Sequence, residues 1–261
     1  MSGFLGGGIG PVALKRRRAA GNGLLNNLIA YWPLNEADGA NNALDLHSNG
    51  LTLTQVASPG SAAGKVYAGA RTFNGSTQYF SRASEALLQT GDVDFTIAAW
   101  VYLSSKNTYA FAIAQDGAGN SAGDRAYSIL YDQPHDRYTA NVYIATDSRK
   151  TATANTYGSP ALNSWTLLIA WHDASGDTIN ISVNNGTADS AATEGSLQSA
   201  SNTPVTVASR GFSSTPGYWP GRIGPVAMWK SAAGGGGVLT AAQRTALWNG
   251  GVGLAYADFT P

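Results

Sequence analysis

Alternating side chains are clearest in the stretch Asp94–Leu103. Every second position from Phe95 to Leu103 is apolar, and the positions between are Thr96, Ala98, Trp100 and Tyr102. This two-residue period predicts a β-strand covered on both faces. The same pattern predicts a partner strand at Ser164–Trp171, with Trp165, Leu167, Ile169 and Trp171 on one face. Two such strands each need a facing layer, so the pair indicates the centre of a β-sandwich.

Weaker patterns predict shorter strands along the rest of the chain. Residues 28–36 form one such segment, and because Pro33 lacks an amide donor, this strand should lie at an edge or bulge there. The dipeptide Asn74-Gly75 predicts a hairpin between two strands within 64–82. Further strands are predicted at 109–114, 127–131, 138–145, 178–183, 204–208 and 221–229.

One helix is predicted, near the C-terminal end. Thr240 and Gln243 have the spacing of a capping box, and Leu239 can pack against the first turn. Leu247 and Trp248 give an apolar side, and Gly250-Gly251 is expected to end the helix. The rest of the pattern indicates an all-β protein.

Composition supports many short strands joined by glycine-rich turns. Charged residues make up only 12% of the 261 residues, hydrophobic residues 43%, and there are 32 glycines. Cysteine is absent, so disulfides and thiolate metal sites are excluded. No apolar run approaches the roughly 20 residues that span a bilayer, and the basic run follows the N-terminal apolar stretch instead of preceding it. We therefore expect neither a membrane span nor a signal peptide.

The N-terminal segment differs in charge from the rest of the chain. Residues 1–27 contain four basic and no acidic residues, whereas residues 28–261 contain 12 basic and 16 acidic ones. We therefore expect a flexible, Gly-rich arm at 1–27 and a β-sandwich at 28–261. The arm is either a disordered leader or a segment that becomes ordered on a partner. In the second case, its docking residues are Phe4, Leu5, Ile9, Lys15, Arg16, Arg17 and Arg18.

Seven segments in order resemble the laminin-G-like, concanavalin A-like lectin/glucanase superfamily over about Leu28–Tyr256. They read AYWPLNE, ALDLHSNGLT, GKVYAGARTFNGSTQY, DFTIAAWVY, SWTLLIAW followed by INISVNNG, GRIGPVAMWKSA and LTAAQRTALWNGG. The resemblance implies an antiparallel jelly-roll β-sandwich of about a dozen strands, all-β with one short C-terminal helix.

The superfamily contains glycosidases as well as binding modules, so the fold does not decide function. Its catalytic members carry closely spaced glutamates on one strand. Here Glu36, Glu85 and Glu194 lie far apart, and Asp92 and Asp94 sit at the mouth of a strand. The histidines, at 47, 135 and 172, are isolated. We therefore expect no enzyme, with a glycoside hydrolase as the last alternative.

A structural calcium ion occurs in many relatives, held partly by an aspartate in an I-D-E-V pattern. The matching residues here are Ile223–Val226, which include no carboxylate. Asp116, Asn120 and Asp124 have an oxygen-rich spacing, but Ala118 takes a ligand position and no closing glutamate follows. A polar glycine loop is the preferred interpretation, and structural calcium remains the alternative.

Two loops are candidates for a sugar site, because such a site needs an aromatic platform beside fixed polar groups. One loop contains Tyr218 and Trp219, and the other contains Asp132, His135 and Asp136. Packing of Trp219 in the core is the alternative interpretation of that residue.

These features predict a non-catalytic module docked by its arm onto a larger assembly. A lectin-like module with a Gly-rich basic leader resembles accessory proteins of bacteriophage virions: capsid decoration proteins, head fibres or tail components. The expected partners are capsid or tail proteins, and the expected location is the virion surface. The alternative is a carbohydrate-binding adhesin on a virion or cell surface, with glycans at the exposed loops. The net acidic body argues against nucleic-acid binding, and a homo-oligomer stays open.

Overall fold

The structure, a computed structural model, describes residues 21–38, 41–117, 124–145, 148–210 and 217–261. The predicted docking residues of the arm, from Phe4 to Arg18, lie outside these ranges. The described chain is an antiparallel jelly-roll sandwich of two β-sheets with one short C-terminal α-helix, which confirms the predicted fold class.

Fifteen strands and one α-helix make up the described fold. The strands are β1 (Leu28–Trp32), β2 (Thr54–Val56), β3 (Gly60–Ala63), β4 (Gly69–Asn74), β5 (Tyr79–Arg82), β6 (Asp94–Leu103), β7 (Ala110–Asp116), β8 (Arg125–Asp132), β9 (Arg137–Ala145), β10 (Ser148–Thr153), β11 (Trp165–Asp173), β12 (Thr178–Val183), β13 (Asp189–Ala192), β14 (Val205–Val207) and β15 (Pro220–Ser231). The helix α1 spans Ala241–Trp248.

The strands form an eight-stranded and a seven-stranded sheet. The first has the order β13-β12-β11-β6-β15-β4-β3, with β1 paired to β15. The second has the order β10-β9-β8-β7-β14-β5-β2. Strand β1 ends at Trp32, just before Pro33, and pairs only with β15 among the described strands, so it lies at an edge as predicted. Its register shift, between Leu28 and Ala30, lies away from Pro33.

The eight-stranded sheet is buried on both faces. Its centre is β6, which pairs with β11 on one side and β15 on the other, as predicted for Asp94–Leu103 and Ser164–Trp171. One set of alternate side chains, including Ile97 and Leu168, enters the core between the sheets. The other set, including Trp100 and Ile169, forms a second apolar cluster on the outer face. Helix α1 and both ends of the described chain cover this second cluster.

The seven-stranded sheet also faces the core with one set of alternate side chains, such as Tyr127 and Ile129. Among the described residues, its outer face has one small buried apolar cluster, formed by Phe111, Ala114 and Leu130. No helix packs over it within the described residues. A cavity lies on this face.

The turn at Asn74 is a corner between the two sheets, and the predicted hairpin is wrong. Strand β4 belongs to the eight-stranded sheet and β5 to the seven-stranded sheet. The side-chain Oδ1 of Asn74 accepts hydrogen bonds from the backbone N–H groups of Ser76, Thr77 and Gln78. In a hairpin, backbone hydrogen bonds between the two strands would stabilise the turn. Here the Asn74 side chain stabilises it, and the chain crosses from one sheet to the other.

Helix α1 begins at the predicted capping box. Thr240 Oγ1 accepts from the backbone N–H of Gln243 at 3.3 Å, and Gln243 Oε1 accepts from the backbone N–H of Thr240 at 2.8 Å. The helix ends at Asn249, which adopts the left-handed conformation one residue before the predicted Gly250-Gly251 stop. Among the described residues, no helix has the length and hydropathy of a membrane span.

Residues 21–27, which the sequence assigned to the arm, pack against the sandwich. Leu24 is fully buried in the outer cluster of the eight-stranded sheet. Its carbonyl oxygen accepts from Trp229 Nε1 at 2.8 Å, and the backbone N–H of Asn22 donates to Thr260 Oγ1 at 2.6 Å. The polar, Gly-containing sequence around Leu24 concealed this contact, and only residues 1–20 remain as the candidate arm.

We predict that Leu24→Ala lowers the free energy of unfolding by about 3 kcal/mol, because it leaves a cavity in a fully buried site. Urea unfolding measures the loss. The matched control is Leu87→Ala, at a side chain that is 40% exposed, which should change stability by less than about 0.5 kcal/mol. Equal stability of the two variants would show that residues 21–27 do not belong to the folded unit.

Candidate functional site

A cavity of about 800 Å³ opens on the outer face of the seven-stranded sheet. Strands β7, β8, β9 and β10 supply its floor with the side chains that alternate away from the core. Phe111 and Asp116, which line its two ends, lie five residues apart on β7, or about 16 Å at a rise of about 3.3 Å per strand residue.

One end of the cavity is aromatic and apolar. Phe111 and Leu130, which are register partners on β7 and β8, form the floor. Tyr109 and Tyr218 line the rim beside Thr108, and the side chain of Tyr109 is 43% exposed. Tyr218 lies 6.0 Å from the ring of Tyr79, which supports it from behind. This end offers ring faces to a ligand with C–H groups.

Gly217 lets the rim approach the floor closely. Its carbonyl oxygen accepts from the backbone N–H of Phe111 at 2.9 Å. A Cβ at this position would lie 2.6 Å from Cδ2 of the Phe111 ring, and the φ of +54° also favours glycine. The small residue therefore holds the neighbouring Tyr218 against the aromatic end.

The opposite end of the cavity is charged and is built around Asp116, whose side chain is 1% exposed. Its Oδ1 atom lies 3.3 Å from Arg125 Nε and 3.1 Å from Arg210 Nη2. Its Oδ2 atom accepts from the Tyr143 hydroxyl at 2.8 Å. Arg149 lies on β10 as the register partner of Tyr143 and completes this end.

Burial raises the pKa of the Asp116 carboxyl above its usual value, although Arg210, Tyr143 and Arg125 act in the opposite direction. Burial is also the main cause of the raised pKa of the Tyr143 hydroxyl, and the Asp116 charge adds to it. A carboxylate in this position depends on its arginines, because an unpaired buried charge is costly.

Asn141 lies between the two ends. Its Nδ2 donates to Ser128 Oγ at 3.1 Å, and its Oδ1 accepts from Thr151 Oγ1 at 2.8 Å. Because these bonds fix the amide, the polar edge that it presents to the cavity is held in place.

The structure separates the two residues of the predicted aromatic loop. Trp219 is fully buried in the core between the sheets, and its Nε1 donates to the carbonyl oxygen of Tyr102 at 3.2 Å. Because both ring faces are packed, Trp219 offers no platform to a ligand, which corrects that expectation. Tyr218, one residue earlier, points the other way into the cavity.

Asp132, His135 and Asp136 lie together in the turn between β8 and β9, outside the cavity lining. His135 Nδ1 is 2.6 Å from Asp132 Oδ2, and Tyr131 donates its hydroxyl proton to Asp136 Oδ1 at 2.9 Å. Lys106 Nζ lies 2.7 Å from the same Asp136 oxygen and lowers the pKa of Asp136 to about 2. These residues hold one another and the turn, and the structure does not bring them together with Tyr218.

The other acidic candidates have structural partners. Asp116, proposed above as part of an oxygen-rich loop, is instead committed to two arginines and a tyrosine; Asn120 lies outside the described residues. Asp94 accepts from the backbone N–H groups of Ala174 and Gly234. No group of three metal-ligating side chains converges within the described chain. Ile223–Val226, the segment that matches the calcium pattern of the relatives, contains a register shift in β15. Pro225 within it lacks an amide donor.

The sequence reasoning missed the residues of the charged end. Arg125, Arg149 and Arg210 lie far from one another in the sequence, and Arg210 is 94 positions from its partner Asp116. The sequence pattern that could have identified this end is alternation along β9 and β10. Asn141 and Tyr143 on β9, and Arg149 and Thr151 on β10, are polar or amphipathic residues that alternate with core residues. Such alternation marks a strand with one solvent-facing side.

The two-sheet architecture, with a cavity on the outer face of one sheet, defines a lectin-like jelly-roll sandwich. Residues 74–235 match the profile of the concanavalin A-like lectin/glucanases superfamily. Since this match covers more than half of the sequence, the chain belongs to that family. No curated protein is detectably similar in sequence.

Solved structures share the fold at low sequence identity. The binding domain of Paraclostridial Mosquitocidal Protein 1 is 13% identical with a TM-score of 0.63, over 87% of this chain and 53% of that one. The ligand-binding domain of botulinum neurotoxin serotype D, in complex with N-acetylneuraminic acid, is 9% identical with a TM-score of 0.60, over 89% and 52%. The chain therefore spans about half the length of these toxin domains.

A third structure matches over nearly its whole length. Domain 4 of AbnA, an extracellular arabinanase from Geobacillus stearothermophilus in complex with arabinotriose, is 15% identical with a TM-score of 0.55, over 83% of this chain and 98% of that one. At these identities the likeness establishes the fold, and most of these neighbours are binding domains rather than catalytic ones.

We predict that Asp116→Asn lowers the free energy of unfolding by about 2 kcal/mol, because it leaves two largely buried arginines without their counter-charge. Urea unfolding at neutral pH measures the loss. The control with the same chemical change is Glu194→Gln, which breaks a solvent-exposed pair with Lys150 and should cost much less stability. Equal losses would contradict a structural role for the Asp116 cluster.

Proposed function

We propose that the protein is a non-catalytic saccharide-binding module whose ligand lies in the cavity on the seven-stranded sheet. The observation that carries the proposal is the combination of two rim tyrosines, an apolar floor and fixed polar groups in one cavity. A sugar ring has C–H groups on its faces and hydroxyls at its edge. Tyr109 and Tyr218 suit the faces, and the fixed amide of Asn141 suits the hydroxyls.

The arrangement of carboxylates supports binding rather than hydrolysis. Glycosidases of this fold use two carboxyl groups that flank the scissile bond. Asp116 is the one carboxylate among the described lining residues, and both of its oxygens already have partners. A glycoside hydrolase would need a second carboxylate in reach of the ligand.

We predict that Tyr109→Ala lowers saccharide affinity roughly tenfold, which corresponds to the loss of about 1.4 kcal/mol of ring contact. A glycan array identifies the ligand, and calorimetry measures the affinity of both proteins. The control is Leu162→Ala, a similarly exposed apolar residue outside the cavity, which should bind like the unmodified protein. A protein that binds no glycan, or a Tyr109→Ala variant that binds normally, would contradict the proposed site.

We also propose that residues 1–20 dock this module onto a larger assembly, as an accessory protein at the surface of a bacteriophage virion. The partners would be capsid or tail proteins, met by the four cations and the apolar residues of the segment. The placement of the next residues supports this proposal. Leu24 packs on the outer face of the eight-stranded sheet, whereas the cavity lies on the opposite side of the sandwich. A module docked in this way would present its cavity outward.

We predict that a chain lacking residues 1–20 stays folded and binds the same saccharide, but no longer associates with its assembly. Mass spectrometry of the complexes that co-purify with the full and the shortened chains tests this. Capsid or tail proteins should appear with the full chain alone. Their presence with both chains, or with neither, would sink the docking proposal without affecting the cavity.

A further inference from the structure

We infer that the saccharide is acidic, with a carboxylate or sulfate group held at the arginine end of the cavity. This inference rests on the proposed saccharide site and specifies its ligand. Three arginines line the cavity: Asp116 holds Arg125 and Arg210, and Arg149 faces the cavity without an ion pair inside the described chain. A neutral sugar gives no reason for a cation at this position.

Asp116 contacts two of the three arginines and leaves Arg149 to other partners. Its Oδ1 atom serves Arg125 and Arg210, and its Oδ2 atom serves the Tyr143 hydroxyl. It therefore positions two guanidinium groups in the cavity wall. The buried Nε of Arg210 has no hydrogen-bond partner among the described residues.

Arg149 is the cation most available to a ligand. It is exposed, lies on the cavity side of β10 and forms no ion pair within the described chain. Its neighbour Lys150 alternates to the other side of the strand and pairs with Glu194 at 2.6 Å. Of the two adjacent cations on β10, Lys150 is paired with Glu194 and Arg149 faces the cavity. Arg149 is therefore the one that can bind an anion there.

The other arginines are preorganised. The guanidinium of Arg125 lies 5.3 Å from the ring centre of Tyr143, and that of Arg210 lies 5.9 Å from the ring centre of Phe111. Guanidinium groups fixed on aromatic rings lose little further entropy when they bind an oxyanion. With the rim tyrosines at the far end, the cavity orients the ligand, with its neutral ring at Tyr109 and its anionic group at Arg149.

Matched ligands that differ by one charge test the inference. Oligogalacturonate against its methyl ester, and sialyllactose against lactose, compare a carboxylate with its neutral counterpart, and a chondroitin sulfate oligosaccharide adds the sulfate source. We expect calorimetry to show at least a roughly tenfold preference for the acidic member of a pair, since a charge-assisted hydrogen bond contributes that much. The preference should fall with added salt.

Arg149→Gln should remove that preference by lowering the affinity for the acidic member roughly tenfold. Lys150→Gln removes the same charge one residue away, on the other face of β10, and should retain the preference. Thermal unfolding checks that both variants fold, as the exposed position of Arg149 predicts.

Equal affinity for acidic and neutral members would overturn the inference but leave the saccharide site intact. A mixed-sequence oligonucleotide that binds more tightly than every saccharide, and loses affinity in Arg149→Gln, would overturn it in favour of nucleic acid. No binding to any glycan would remove the saccharide site itself. Binding of both carboxylated and sulfated ligands would support the inference. Their relative affinities would then show whether the site prefers a carboxylate or a sulfate.

Discussion

The structure depends on a sheet that is apolar on both faces. Strand β6 directs Ile97 into the core between the sheets and Trp100 to the outer side, so the eight-stranded sheet needs two coverings. The seven-stranded sheet provides the first, and helix α1 with the two ends of the described chain provides the second. The helix and these ends therefore lie on one side of the sandwich. The cavity lies on the other side, on the outer face of the seven-stranded sheet.

The cavity combines two kinds of surface at the ends of one short strand. At the start of β7, Phe111 belongs to a small apolar cluster with Leu130. At its end, Asp116 organises charges from β8 and from a distant loop. Because Asp116 is buried, its charge depends on Arg125 and Arg210 for compensation, and these two arginines are held in place by it.

The sequence patterns predicted those elements that are determined by residues close together in the sequence. Strands β6 and β11 were evident because every second residue is large and apolar, and α1 was evident because Thr240 and Gln243 satisfy each other's backbone. Strands such as β3 (Gly60–Ala63) and β13 (Asp189–Ala192) were missed because small and polar side chains carry little periodic signal. The hairpin prediction at Asn74-Gly75 was wrong because the same dipeptide occurs in hairpin turns and in corners between two sheets. The charged end was out of reach, since Asp116 and Arg210 meet only through the tertiary fold.

The two ends of the described chain meet, which affects how other polypeptides can carry this module. Asn22 Oδ1 accepts from the backbone N–H of Thr260 at 2.9 Å, and the backbone N–H of Leu25 donates to the Thr260 carbonyl oxygen at 3.1 Å. The described fold therefore begins and ends at nearly the same place. If it were inserted into a loop of another protein, the host chain would enter and leave it at adjacent points, and the insertion would not strain the loop.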